Sequence, residues 1–268
     1  MVMAGQLSKS THRLVFLHVP RTGGTTLHHH FSAHFAPDEI CPERFSRLGR
    51  YTESELAQWR FFSGHFNLDE IKRIPPPIFL VTVLRDPIER LLSNYYFWKR
   101  HRPSYIAQLQ LRGPEITRTG SLADFLLSKE PVILNTTNNI IARNLAGEIH
   151  PQPDGTWFVR MGNEGLRVTD MQIVHRALGN LFSFKVFGDT SQLREIYAIV
   201  ARTFGMNALT DLAHLNTRHE VDHSREPLIE EPITPEIKAL LDQHTRLDRI
   251  VYQLALDHWR SIGPRPVG

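Results

Sequence analysis

The hydrophobic residues of this chain fall into short unbroken runs, each followed by a stretch with helical spacing. Residues 14–17 and 78–84 are nearly continuous apolar runs, which are typical of parallel strands covered on both faces. Residues 25–35 follow the first run, and apolar residues at positions 88, 91, 92, 95 and 96 follow the second. The pattern therefore predicts two strand-turn-helix units of an α/β protein.

Similar units continue toward the C-terminus. The spacing of apolar residues predicts helices over residues 122–127, 132–145, 193–204 and 235–259, and a buried strand over residues 181–187. Residues 100–119 and 150–163 are rich in Pro, Gly and charge, so we interpret them as loops that contact an acceptor or move. No linker or repeat divides the chain, and we expect one domain over residues 1–268 with a flexible N-terminus at residues 1–12.

The turn after the first strand has the features of a phosphate-binding loop. Gly23 and Gly24 let the backbone approach an anion closely, and the N–H groups that begin the next helix attract negative charge. Arg21 adds a charged, two-pronged donor. The loops of nucleoside triphosphatases place Lys directly before the hydroxyl residue, whereas Gly24 precedes Thr25 here. The alternative is an ordinary strand-turn-helix corner that contains glycines.

The second strand ends at a charged residue. Arg85 projects from its carboxyl end, where open α/β sheets bind ligands. We expect Asp86 to cap the next helix, with Pro87 at its first position and Glu89 completing a capping box. Ser93 lies two turns beyond Asp86 on the same side, so one anion can meet both Arg85 and Ser93. The alternative is that Arg85 pairs with Asp86 or Glu89 at the surface and Ser93 has no ligand.

Several motifs, taken in order, resemble those of a known family. They are residues 18–27, 63–66, 85–93, 139–147, 184–188 and 214–216. Their order and spacing resemble the carbohydrate sulfotransferases, particularly the branch of heparan sulfate and uronyl 2-O-sulfotransferases and their bacterial relatives. The resemblance implies a P-loop-like three-layer sandwich with a central, mainly parallel sheet flanked by helices.

The resemblance also implies the donor, 3′-phosphoadenosine 5′-phosphosulfate, and no metal. The residues that would hold its 5′-phosphosulfate are Arg21, Thr22, Gly23, Gly24, Thr25 and Thr26. Arg85 and Ser93 would hold its 3′-phosphate, and Arg218 lies in a segment that resembles a loop closing over the nucleotide. The family more often has Lys where this chain has Arg21, so the geometry of that contact is expected to differ.

His65 is the expected general base for the acceptor hydroxyl, because it matches the histidine of the family's Gly-His pair and its ordinary pKa near 6.5 suits the role. Arg21 is the expected cationic catalytic residue at the leaving phosphate. Four further histidines lie at positions 28, 29, 30 and 34. No cysteine or closely spaced acidic residue accompanies them, so we interpret them as surface or cleft residues and not as metal ligands.

Composition limits the classes of partner and the cellular compartment that the sequence predicts. The chain has 31 Lys and Arg against 28 Asp and Glu, a balance too mild to predict nucleic-acid binding. One cysteine, Cys41, leaves no disulfide framework and fits a reducing compartment. No long apolar segment suggests a signal peptide or membrane span, so we expect a cytoplasmic, bacterial enzyme, unless the sequence is truncated.

Three functional hypotheses follow. The first is a sulfotransferase that acts on a hydroxyl, with a carbohydrate as the expected acceptor, while tyrosine and small alcohols remain open. The second is a kinase or nucleotide phosphotransferase, in which Asp86 imitates a magnesium carboxylate. The third is a noncatalytic nucleotide-binding protein. The acceptor's regiochemistry and the oligomeric state are not predicted.

Overall fold

Two sheets organise the part of the chain that the computed structural model describes, namely residues 10–161, 164–209 and 221–262. The strands are β1 (Arg13–Leu17), β2 (Phe61–Gly64), β3 (Ile78–Leu84), β4 (Ile149–Pro151), β5 (Trp157–Met161), β6 (Glu164–Val168) and β7 (Val186–Asp189). The helices are α1 (Gly24–Ser32), α2 (Glu53–Gln58), α3 (Leu68–Ile71), α4 (Pro87–Lys99), α5 (Pro103–Leu109), α6 (Arg112–Thr119), α7 (Leu122–Leu127), α8 (Pro131–Thr137), α9 (Ile140–Ala146), α10 (Asp170–Leu181), α11 (Leu193–Phe204) and α12 (Pro235–Ile262).

The main sheet has four parallel strands in the order β2-β1-β3-β7. Alternate residues of β1 enter different cores, because successive side chains of a strand point to opposite faces. Leu14 and Phe16 pack with α1 and α11 on one face. Val15 and Leu17 pack with α9, α10 and α12 on the other face. The result is the expected α/β fold, with helices on both sides of a parallel sheet.

The strand order explains where a ligand site can form. Strands β1 and β3 are neighbours at the centre of the sheet. After β1 the chain forms β2 at one edge, and after β3 the next strand of this sheet is β7 at the other edge. The carboxyl ends of β1 and β3 therefore flank a topological switch point, where open α/β sheets leave a crevice. The turn at residues 18–27 follows β1, and Arg85 follows β3. Both predicted anion-binding segments thus lie at one edge of the sheet.

Several predicted boundaries are wrong, because tertiary contacts override local periodicity. The expected single helix over residues 132–145 is two helices, α8 and α9. Asn139 breaks it with φ 47°, and its side-chain oxygen accepts hydrogen bonds from the backbone N–H groups of Leu247 and Asp248 on α12. The expected strand over residues 181–187 begins only at Val186, since Leu181 ends α10. Helix α1 ends at Ser32, before the expected residue 35.

The two segments interpreted as loops contain regular elements in their described residues. Residues 100–119 contain α5 and α6. Residues 150–151 and 157–161 lie in β4 and β5 of the antiparallel sheet β4-β5-β6. A turn at Asp154 and Gly155, where Gly155 has φ 85°, joins β4 to β5. The predicted helices over residues 122–127, 193–204 and 235–259 are confirmed, although the last extends to Ile262. None of the helices in the described ranges is long and apolar enough to cross a membrane.

Candidate active site

The turn between β1 and α1 passes through two left-handed residues, Arg21 with φ 71° and Gly23 with φ 76°. Left-handed residues in such a turn direct backbone N–H groups toward a concave face that suits anions. Helix α1 begins at Gly24, and no side chain caps its N-terminus. A helix start without a side-chain cap suits an anionic ligand.

A neighbouring side chain leaves no room for any residue but glycine at position 24. A Cβ atom at this position would lie 1.9 Å from the imidazole of His18. His18 is buried and stacks on Phe16, with ring centroids 5.7 Å apart. Burial is the main cause that lowers the pKa of His18 well below its ordinary value, and His65, Arg44 and Arg21 add to the effect. A neutral imidazole is thus packed against the start of α1.

Arg21 is a buried cation among other cations. Its guanidinium lies 4.2 Å from the ring centre of Phe97, and its Nε donates a hydrogen bond of 3.2 Å to Ser93 Oγ. Burial and then neighbouring arginines, beginning with Arg85 and Arg225, lower its pKa to about 10. Such a collection of cations around a buried site favours a ligand of high negative charge.

Arg85 lies beside the turn, as the sequence predicts, but it already has partners. One Nη donates to the backbone oxygen of Arg21 at 3.3 Å, and the other forms an ion pair of 3.1 Å with Glu89. The alternative pairing with Glu89 is therefore present. Asp86 caps α4 by accepting from the N–H of Glu89 at 2.9 Å. The expected reciprocal bond of the capping box is not formed, because the Glu89 carboxylate turns to Arg85.

His65 has an orientation that suits a base. Its Nδ1 lies 2.7 Å from the backbone oxygen of His18. A carbonyl oxygen can only accept, so Nδ1 carries the proton and Nε2 of the neutral ring keeps its lone pair. Burial lowers the pKa of His65, the bond to His18 opposes that shift, and Arg44 and Arg21 reinforce it. Gly64 sets this position, since a Cβ there would lie 2.6 Å from the backbone oxygen of Arg44.

One cleft of about 860 Å³ connects these groups. Its volume lies within the roughly 300–1,000 Å³ range of small-molecule sites. The predicted site residues that line it are Arg21, Gly23, Gly24, Thr25, Thr26, His65, Arg85 and Ser93. Thr22 does not line it with the others: its side chain is fully buried and its hydroxyl donates to the backbone oxygen of Val19 at 2.8 Å. Arg218 lies outside the described residues.

The histidines at positions 28, 29, 30 and 34 lie in or just after α1, and among the described residues they are not grouped as metal ligands. His34 Nε2 lies 2.9 Å from the hydroxyl of Tyr197, and the ring of His28 contacts Arg44. Burial, with Arg44 as the next cause, lowers the pKa of His28 to about 4. No group of three or more His, Cys, Asp or Glu in the described ranges is arranged to hold a metal ion.

Sequence reasoning missed several residues of the cleft. Phe97 lies one helical turn beyond Ser93, so the spacing within α4 contained a signal for it. Asn94 and Trp98 also line the cleft, beside residues already singled out. Thr136 reaches the cleft from α8. Nothing local in the sequence marked that residue, because only the packing of α8 near α4 brings it there.

Comparisons with known proteins identify the family. Residues 7–139, which include the turn, His65, Arg85 and Ser93, match the model of the sulfotransferase family. The chain belongs to the sulfotransferase family. A protein-tyrosine sulfotransferase from Arabidopsis thaliana is 35% identical over 86 residues, which are 31% of this chain and 17% of the relative. The match to this relative therefore spans less than a fifth of the relative's length.

Proposed function

We propose that this sulfotransferase transfers a sulfuryl group from 3′-phosphoadenosine 5′-phosphosulfate to a hydroxyl group, with a carbohydrate as the acceptor. The observation that carries the proposal is the common cleft of a buried cationic turn and an imidazole with a free Nε2. A phosphate-binding turn alone would suit many nucleotide proteins. Its combination with an oriented base fits group transfer to a hydroxyl.

The residues of the cleft fit a donor with two anionic ends. The uncapped start of α1 and Arg21 would hold the 5′-phosphosulfate. Arg85 and Ser93 would hold the 3′-phosphate. The ion pair of Arg85 with Glu89 does not oppose this role strongly, since the Glu89 side chain is 57% exposed and such pairs contribute only about 0–1 kcal/mol. Arg218 is assigned to the donor only through the family resemblance.

The proposed mechanism assigns one task to each group. The bound donor supplies an activated sulfur–oxygen bond. His65 Nε2 takes the proton of the acceptor hydroxyl as that oxygen bonds to sulfur and the bond from sulfur to the phosphate oxygen breaks. Arg21 and the N–H groups of α1 stabilise the negative charge that develops on the departing phosphate.

A tyrosine hydroxyl is the second candidate acceptor, because the Arabidopsis relative is named a protein-tyrosine sulfotransferase. The kinase alternative receives less support. Its loop lysine is replaced by Gly24, and the one carboxylate proposed as a magnesium ligand, Asp86, caps α4 instead.

Ligand-dependent thermal unfolding tests the donor. Adenosine 3′,5′-bisphosphate at 100 times its dissociation constant should stabilise the protein by about 2.7 kcal/mol, and magnesium ATP at the same concentration should stabilise it less. Stabilisation by magnesium ATP alone would favour the kinase. Incubation with ³⁵S-labelled donor and an oligosaccharide, a tyrosine-containing peptide or a small alcohol then tests the acceptor. Bisphosphate binding without label transfer to any acceptor would favour the noncatalytic hypothesis.

A further inference from the structure

Helix α4 presents two different stripes of residues to the cleft. Ser93 and Phe97 lie four residues apart, and both contact Arg21. Arg90, Asn94 and Trp98 form a second stripe, because positions four apart share one side of a helix. Arg90 is fully buried and donates a hydrogen bond of 3.0 Å to the backbone oxygen of Thr136 on α8. The second stripe thus reaches α8 through Arg90, whereas the first stripe contacts Arg21.

Asn94 on this second stripe has an unpartnered polar atom. Its side chain is only 3% exposed, it lines the cleft, and its amide nitrogen has no hydrogen-bond partner among the described residues. Buried polar groups are almost always hydrogen-bonded. An orphaned amide donor at the wall of a ligand cleft therefore indicates that a ligand oxygen supplies the missing acceptor.

The wall of the cleft beside Asn94 is partly aromatic. Trp98 and Thr136 line the same cleft. The indole of Trp98 is held against α6, since a Cβ on Gly113 would lie 2.7 Å from its ring atoms. An amide, a hydroxyl and a flat aromatic face suit a ring that carries several hydroxyl groups. Arg90 lies on the same stripe, and buried Asp248 offsets its charge, whereas the arginines expected to attract a phosphate, Arg21 and Arg85, lie outside α4.

We propose that Asn94, Trp98 and Thr136 form an acceptor subsite for a sugar ring, with the Asn94 amide donating to one of its hydroxyl oxygens. This inference rests on the proposed sulfuryl transfer, and it places the acceptor beside α8. Trp98 packs against the apolar face of the ring, and Asn94 fixes which hydroxyl approaches His65.

Two variants of Asn94 separate ligand binding from a structural role. Asn94→Ala removes the donor, and we expect it to raise the KM of an oligosaccharide acceptor at least about fivefold, as for a lost hydrogen bond. The affinity for adenosine 3′,5′-bisphosphate should stay within twofold. Asn94→Leu fills the same space without an orphaned donor, so it should raise the melting temperature by about 2–4 °C. It should weaken acceptor binding as much as Asn94→Ala does. Asn135→Ala, at an exposed position of α8, is the matched control.

The direct measurement is oligosaccharide binding by saturation-transfer NMR with bisphosphate present, which does not depend on turnover. Weaker sugar binding by both Asn94 variants, with unchanged bisphosphate affinity, supports the subsite. Unchanged sugar binding, or a melting temperature that falls in Asn94→Leu while sugar binding is retained, overturns it in favour of a packing role. An equal loss of bisphosphate affinity also overturns it, since Asn94 would then serve the donor. Wild-type sugar binding without sulfuryl transfer would instead contradict the proposed function.

Discussion

Replacing His65 by Asn removes the proposed base and keeps its structural contact. The Asn side-chain nitrogen can occupy the place of Nδ1 and donate to the backbone oxygen of His18, which the imidazole now reaches at 2.7 Å. No atom then replaces Nε2. General base catalysis contributes about 10²- to 10⁴-fold, so turnover should fall by that factor, which corresponds to ~2.7–5.4 kcal/mol of transition-state stabilisation.

Two further variants define what a structural effect would look like. His65→Ala also loses the hydrogen bond to His18, and its free energy of unfolding should fall by about 0.5–1.5 kcal/mol more than that of His65→Asn. His29→Asn changes an exposed histidine of α1 and should leave turnover unchanged. Bisphosphate affinity should remain near the wild-type value in both His65→Asn and His29→Asn.

The pH dependence of the wild-type enzyme tests the same assignment. The base must be neutral, and burial lowers the pKa of His65 from 6.5. The acid limb of kcat/KM, which reports on the free enzyme, should therefore lie below pH 6.5. Bound donor places negative charge near the imidazole, which favours its protonated form, so the acid limb of kcat should lie at higher pH than that of kcat/KM.

Initial rates with ³⁵S-labelled donor between pH 5 and 8, at constant ionic strength, measure both limbs. Wild-type turnover in His65→Asn would refute the base assignment outright. An acid limb of kcat/KM above pH 6.5 would contradict the argument from burial, even if the variant were inactive.

Three other changes have expected outcomes. Arg85→Ala should weaken bisphosphate binding by about 1.5–3 kcal/mol in calorimetric titrations, whereas Glu89→Gln, which frees Arg85, should not weaken it. Arg21→Lys should lower kcat about tenfold, because Lys keeps the charge but loses the planar fork that binds Ser93; unchanged steady-state kinetics would count against a specific role for the fork. Asp248→Ala should lower the free energy of unfolding by about 3–5 kcal/mol in urea, since the buried arginines of α4 and α9 lose a nearby negative charge; equal stability would show that this charge is dispensable.

The sequence predicted the parts of the fold that depend on local order. The apolar run at residues 78–84 is strand β3 with the same bounds, because a parallel strand covered on both faces is almost continuously apolar. The Asp154-Gly155 pair was also a local signal for a tight turn between strands, and it was overlooked among other polar residues. Asn139 carried no such signal. Its left-handed conformation depends on bonds to α12, which lie more than 100 residues away.

The candidate site was predictable to the same extent. Arg21, Gly23 and Gly24 lie just after the end of β1, and Arg85 lies just after the end of β3. The sequence alone therefore predicts that they meet at one edge of the sheet. The contact of Arg21 with Phe97 explains how Arg is accommodated where the family more often has Lys: a planar guanidinium can lie over a ring at 4.2 Å and still donate to Ser93. This arrangement needs the tertiary position of α4 relative to the turn, which spacing within either segment does not provide.

Three unfavourable features of the free protein border the same cleft. Arg21 is a non-glycine residue in a left-handed conformation, and such residues cost of order 1–3 kcal/mol. Its charge is buried among other arginines, and the Asn94 amide nitrogen has no partner among the described residues. Features of this kind also occur elsewhere, as at left-handed Asn139, but at a cleft a ligand can relieve them. An anion would relieve the charge imbalance and a hydroxyl oxygen would satisfy the amide, as expected if the proposed donor and acceptor bind together.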